Sequence, residues 1–453
     1  MMKNLISELI EQNNAVSQSK TLVQKMYQKD NIPWVVGYSG GKDSTATTQI
    51  VVETLLEMKE RGVKLNKHVY VISSDTLVET PIIVETRMRT IKAINRLADE
   101  KDLPLSAHIV KPKFDQTFWI NVIGRGYPTP NQTFRWCTDR MKIDPANRFV
   151  NDIIGEYGEA VMLLGVRDGE SNSRDRSIQN HSIEGTELMR HSTMANAYVF
   201  APIKKFTIDI LWSYLLGSKS PWGTDNHELY QLYSDSSAEC PLIIDEDIKN
   251  ETGSCGNSRF GCWVCTVVKE DKSLTGFIKT GEDWLRPMLD FRNWLYTIRD
   301  SDEMRMKRRT NGMLYFATIK QNLDGTLTIP QKGAKPRNLI TKQKGGMWTD
   351  LQNNEWKVFD QSVNAEEDAK KYITEKRIDL SSGDNPRIII KNYKNEYQQL
   401  GNGPFTFETR KMLLKKLLQL QKEINYSEEL IQKEELYEIR KIWMGRQCHQ
   451  YLS

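Results

Sequence analysis

The sequence predicts an α/β fold with a doubly wound, mostly parallel sheet, followed by a Cys-rich region and a helical C-terminal extension. Two observations carry this. Short apolar runs alternate with long helical patterns through the first half, the order that builds parallel sheets. A Gly-rich turn, Ser39-Gly40-Gly41-Lys42-Asp43-Ser44-Thr45, joins the first such run to the first long helical pattern. Sheets of this kind take their ligands at the carboxyl ends of the strands, where this turn falls.

In chain order, residues 1–30 read as an N-terminal helical segment. Trp34-Val35-Val36-Gly37-Tyr38 is the first strand, and Thr45 to about Lys59 the helix after the turn. His68–Ile72 is a strand, Thr80–Asp99 a helix with Pro81 near its first turn, and Ser106–Val110 a strand. Glu159–Gly165 is a continuous apolar run of the kind buried in a parallel sheet. Together they outline a domain over 31–235. A cysteine-bearing region spans 236–300, with Trp284 and Trp294 on a helix. Residues 301–453 hold a basic stretch, a polar insert and C-terminal helices. From Ala317 to Leu400 the chain is rich in Gly, Asn and Lys and reads as an elaborated or mobile insert. Leu413, Leu414, Leu417, Leu418 and Leu420 recur at helical spacing and read as core packing.

Composition bounds the function classes. The chain has 453 residues, 39% hydrophobic and 27% charged, as soluble globular proteins do. No run is apolar enough for a membrane helix, and the N-terminus lacks a secretory apolar segment, so no membrane association and a cytoplasmic location are expected. The net charge is only +4, but Glu303 to Lys344 holds ten Lys/Arg against two Asp/Glu. Such an excess suits a polyanion-binding face, with Arg305, Lys307, Arg308 and Arg309 as candidate phosphate contacts. A solvated basic helix face is the alternative.

The Gly-rich turn suits phosphates. Paired glycines let backbone N–H groups approach an anion at the positive end of a helix. Lys42 adds a charge, and Ser39 and Ser44 add hydroxyls. The spacing is not that of kinase-like P-loops. Asp43 and Asp75 are candidate Mg²⁺ ligands beside nucleotide phosphates, with helix capping as the alternative. Arg167 and Arg174 suit phosphate or sulfate oxygens, unless they pair with Glu170 and Asp175 on the surface.

Four of the six cysteines, Cys240, Cys255, Cys262 and Cys265, are spaced C-x14-C-x6-C-x2-C. Four thiolates can hold zinc or a 4Fe–4S cluster. Only one short knuckle is present, and Phe260 and Trp263 supply a dry shield, which favours the cluster. Cys137, flanked by Arg135 and Arg140, is a candidate sulfur-carrying nucleophile, because nearby cations stabilise a thiolate. An inert buried thiol is the alternative, and inertness is the expectation for Cys448.

The turn resembles the PP-loop of ATP pyrophosphatases, which form adenylated intermediates and release pyrophosphate. Ser74 to Thr80, Arg135-Trp136-Cys137-Thr138 with Lys142 and Pro145, Gly165-Val166-Arg167 with Glu170, Ser171 and Arg174, and Pro202, Trp212 and Tyr233 resemble, in order, segments of phosphoadenosine phosphosulfate (PAPS) reductases. That resemblance makes 31–235 a PP-loop domain binding ATP through Ser39–Thr45, Asp75, Gly165, Arg167 and Arg174. It also makes Cys137 a possible fifth cluster ligand. Cys240 through Val268, with Arg-Phe-Gly-Cys-Trp-Val-Cys at its centre, resembles the DndC family of sulfurtransferases from bacterial DNA phosphorothioation. The likeness extends over nearly the whole chain, least across 317–400. It implies ATP, Mg²⁺ and a 4Fe–4S cluster as cofactors, with Lys42, Asp43, Cys137 and Arg167 catalytic. The implied partners are a cysteine desulfurase, other Dnd-system proteins and DNA. A thiol-dependent PAPS reductase, a tRNA thiolase and a non-enzymatic iron–sulfur DNA-binding scaffold are the rival readings.

Overall fold

The computed structural model describes residues 2–169, 179–237, 261–329, 338–360, 364–384, 386–424, 426 and 428–450. Two compact units divide the chain. One takes Met1–Thr117, Arg135–Val264 and Asp271–Leu289; the other takes Phe118–Phe134, Cys265–Glu270 and Asp290–Ser453.

The first unit is a doubly wound sheet. Its strands are β1 (Trp34–Gly37), β2 (Val69–Ser74), β3 (Leu105–Val110), β4 (Ala160–Leu163), β5 (Leu188–Arg190) and β6 (Ala197–Phe200), in the order β3-β2-β1-β4-β6-β5. All pairings are parallel except β5 with β6. Alternation assigns the faces. Val36, Val71 and Leu163 pack in the core shared with α1 (Met2–Gln28), α2 (Lys42–Glu60) and α3 (Pro81–Glu100). Val35, Ile72 and Met162 face the other way, against Val150 and Ile153 of α4 (Asp144–Tyr157). Strand order reverses between β1 and β4, so the carboxyl ends of these strands open the crevice in which such sheets bind ligands. Two further helices, α5 (Ile208–Gly217) and α6 (Asn226–Ser237), follow the sheet.

Of the two expectations for the insert, elaborated or mobile, the described residues of the second unit show the elaborated one. Strands β7 (Phe316–Thr318), β8 (Lys320–Gln321), β9 (Leu327–Ile329), β10 (Asn338–Lys342), β11 (Trp348–Thr349), β12 (Glu355–Phe359), β13 (Ile388–Lys391) and β14 (Tyr397–Leu400) form one ladder, ordered β7-β14-β13-β12-β11-β10-β9-β8. Its two ends, β7 and β8, are consecutive parts of one segment, so the ladder closes into a small barrel. Leu327, Ile340, Trp348, Trp356, Ile389 and Tyr397 share one core cluster. The Gly and Asn that made the region look loop-like sit at turns such as 322–326 and 392–396, where the N–H groups of Asn322 and Asn392 donate to the Thr326 and Glu396 carbonyls of the returning strand.

The segment 118–134, which the sequence boundaries put in the nucleotide domain, belongs to this second unit. Trp119 Nε1 donates to the Leu430 carbonyl at 2.7 Å, and Arg410 Nη1 to that of Gly124 at 2.8 Å. On the helix Phe407–Glu423, Leu413, Leu417 and Leu420 are buried, as expected, but Leu418 is exposed. No helix among the described residues is long and apolar enough to cross a membrane.

Candidate active site

The loop after β1 is built by its own small residues. Gly40 has φ +77°, a conformation L side chains rarely adopt. Gly41 is the extended N-cap of α2, with no side chain capping it. Ser44 Oγ donates to the Gly41 carbonyl at 2.9 Å. The Ser39 and Ser44 hydroxyls share a further hydrogen bond at 3.0 Å. Both hydroxyls therefore brace the loop. The Lys42 N–H donates to Tyr233 Oη at 3.2 Å, while geometry denies the N–H groups of Asp43 and Ser44 an intrahelical acceptor. Thr45 is buried, and its N–H closes the first helical bond onto Gly41.

Charge is concentrated at the same point. Lys42 Nζ lies 3.1 Å from Asp43 Oδ2, and Arg167 Nε donates to Asp43 Oδ1 at 2.5 Å. Burial pushes the Asp43 carboxyl up, but Lys42 and Arg167 outweigh it and hold the group below its ordinary range. Burial opposes the charge on Lys42 too; Tyr233 and Asp43 prevail and its pKa is raised. Gly165 makes this contact possible. A Cβ there would stand 2.7 Å from the Asp43 carbonyl, so only glycine lets the chain leaving β4 lie against the start of α2.

Asp75 follows β2, beside the loop's own strand. Its Oδ1 accepts the Leu77 N–H at 2.9 Å, and Arg87 and Lys111 stand 3.6 and 3.8 Å from its oxygens. Arg174 lies outside the described residues. Tyr233 was legible only as part of a motif. It contributes a hydroxyl to the loop and a ring beneath the Lys42 ammonium, 5.2 Å from the centroid.

The cysteines are partly accounted for. Cys137 is half-buried on a helical turn, Trp136–Thr138, and nearby Lys142 Nζ is 4.0 Å from Glu79 Oε1. Arg140 donates to Gln116 at 2.8 Å. Cys262, also half-buried, bridges Glu79 through its backbone and has its Sγ 3.3 Å from Thr76 Oγ1. Trp263, one of the two expected shielding rings, is buried. Cys265, in the second unit, gives its carbonyl to Arg292 Nε at 2.8 Å. Cys240, Cys255 and Phe260 lie outside the described residues, as does the side chain of Cys448. Among the described residues no group of three or more His, Cys, Asp or Glu could hold a metal ion. Half of the expected four-thiolate set therefore stands in described structure, and both members are cysteines suited to iron or zinc.

The basic stretch corrects an expectation. Arg305 is buried and donates through Nε to the Gly403 carbonyl and through Nη1 to that of Arg299, each at 2.6 Å. Lys307 is buried against Asp302 and Asn402 at 2.5 Å. Neither presents charge to a phosphate. Arg308 donates to Ser381, and Arg309 stacks over Tyr315.

A family model described as the phosphoadenosine phosphosulfate reductase domain matches residues 33–268. An uncharacterized protein of Methanocaldococcus jannaschii is 24% identical over 266 residues, 58% of this chain and 42% of its own length. The chain thus spans less than half of that relative. Among solved structures, PAPS reductase from Candida auris in its phosphate complex shares 13% identity over 47% of this chain and 83% of its own, with a TM-score of 0.30. The U34-tRNA thiolase NcsA from Methanococcus maripaludis, with its 4Fe–4S cluster, shares 14% over 50% and 74%, with a TM-score of 0.29.

Proposed function

The chain belongs to the phosphoadenosine phosphosulfate reductase domain family, and from that premise we propose that it is an ATP pyrophosphatase and sulfurtransferase of DNA phosphorothioation. The observation that carries the ATP half is the Lys42–Asp43–Arg167 group at the β1/β4 switch point, beside unpaired first-turn N–H groups. The DNA half rests on the resemblance of Cys240–Val268 to DndC-type enzymes.

A non-bridging phosphodiester oxygen attacks the α-phosphorus of ATP; the bond to the β-phosphate oxygen breaks and pyrophosphate leaves. Lys42 and the N–H groups of Asp43 and Ser44 hold the departing negative charge. Asp43, fixed by Arg167, and Asp75 would share Mg²⁺ with the phosphates. Sulfur then attacks the DNA phosphorus, and AMP leaves with the original oxygen. Delivered as sulfide, this exchange needs no redox partner. Delivered from a Cys137 persulfide, it needs a second thiol to cleave the S–S bond, forming a disulfide. Cys240, Cys255, Cys262 and Cys265 would hold a 4Fe–4S cluster, which would bind sulfide only at an iron that one of these thiolates leaves free. A cysteine desulfurase is the sulfur donor, companion Dnd-system proteins present the DNA, and the cytoplasm is the compartment.

The test combines the protein with ATP, Mg²⁺, a desulfurase, labelled cysteine and DNA, followed by nuclease digestion and mass spectrometry. Phosphorothioate dinucleotides are expected. The family match favours a second reading, a thiol-dependent PAPS reductase. Sulfite release from PAPS, without labelled DNA, would establish that one instead. Labelled tRNA would mark a thiolase.

A further inference from the structure

The segment leaving β2, residues 74–80, carries more than Asp75. It is held from behind by Arg87 of α3, 2% exposed, which donates through Nη1 to Glu79 Oε2 and brings Nη2 to 3.6 Å from Asp75 Oδ1. The Arg87 Nε and Nη2 have no hydrogen-bond partner, so this buried guanidinium is committed to the two carboxylates by charge rather than by the surrounding carbonyls. In front, the same segment holds thiol-bearing chain. Thr76 Oγ1 meets Cys262 Sγ at 3.3 Å, and the Trp263 N–H donates to the Val78 carbonyl at 3.0 Å. Lys142 Nζ stands 4.0 Å from Glu79 Oε1, and Ser74 Oγ donates to the Lys142 carbonyl at 3.5 Å, which ties in the turn after Cys137. The segment does not hold this shape by local preference, because Leu77 sits at φ +64°, a strained value for a branched side chain.

We infer that Arg87 is a positioning residue: by clamping Asp75 and Glu79 it fixes segment 74–80, and through it sets Cys262 and the Cys137 turn at the edge where the nucleotide loop opens. Two neighbouring carboxylates with little exposure repel each other and are costly to bury. One planar fork can neutralise both at a fixed spacing, whereas a lysine ammonium can hold only one closely. The inference assigns positions to the thiols of the sulfur-transfer reading and rests on it only for its turnover measurement.

The test is amide hydrogen exchange, read by mass spectrometry on the full chain, for wild type, Arg87→Gln and Arg87→Lys. Arg87→Gln should speed exchange at the Trp263 amide about tenfold or more while amides of α2 keep their rates. Arg87→Lys should fall between. In turnover, Arg87→Gln should slow pyrophosphate release, because Asp75 loosens with the segment, and should also transfer less sulfur per pyrophosphate released. A wild-type Trp263 rate in folded Arg87→Gln, or equal acceleration in α2, overturns the inference, since a merely stabilising ion pair would loosen both alike. If Arg87→Gln does not fold, Glu79→Gln carries the same readout with the same two outcomes. If wild type releases no pyrophosphate, the sulfur-transfer reading falls while the exchange measurement still decides the role of Arg87.

Discussion

Lys42, half-buried, and Arg305, buried, are cations in stretches that look basic or phosphate-binding, and they differ in what they face. Lys42 pairs with an adjacent carboxylate at the open end of a sheet, with a pKa above its usual value. Arg305 gives its donors to backbone carbonyls, and burial depresses its pKa to about 10. A cation held by a carboxylate can change partners when an anion arrives. A cation capping carbonyls cannot leave without stranding them. The difference separates a site from a scaffold, and charge counting along the chain does not reveal it.

The largest effect expected from this contrast is on turnover. Lys42→Ala should lower pyrophosphate release at least about 100-fold, with thermal unfolding little changed; a variant that keeps its rate would place the chemistry elsewhere. Arg305→Ala should do the reverse, destabilising the fold by about 3 kcal/mol because two buried carbonyls lose their donors. Denaturant titration measures that loss, and the salt dependence of DNA binding should keep its wild-type slope.

Gly165→Ala should cost about 1–3 kcal/mol and weaken ATP binding, since its methyl would push α2 away from Arg167; calorimetry with ATP reads both. Asp43 gives a pH signature. Its folded pKa is depressed, so the stability its carboxylate contributes is complete above the ordinary value of about 3.9 and is lost as pH falls through the folded value. The melting-temperature gap between wild type and Asp43→Asn should therefore be widest near neutrality and close in acid. Arg308→Ala should cost least, about 0.5–1.5 kcal/mol for its bond to Ser381.

Much of the first unit was legible because period and punctuation agree. Trp34–Gly37, Gly40 and the helix expected from Thr45, which begins three residues earlier at Lys42, each follow from local chemistry that the fold does not override. Strands β5 and β6 were missed: Leu188–Arg190 and Ala197–Phe200 are too short and mixed to stand out. The barrel was missed for a different reason. Its strands are two to five residues long, and polar turns dominate the composition between them. In the site, Asp43 and Arg167 were legible as chemical types, but their mutual pairing was not, because 124 positions separate them. The clamp by Arg87 was equally hidden, since nothing in a helix sequence marks which arginine points inward.

On the proposed function, the Ser39–Thr45 loop directs cleavage of ATP between the α- and β-phosphates. The direct measurement incubates the protein with ATP labelled at the α-phosphate, Mg²⁺ and DNA, then separates the products. Labelled AMP with stoichiometric pyrophosphate, absent in Lys42→Ala, is the predicted result. Labelled ADP with inorganic phosphate, or no cleavage by wild type, would contradict it.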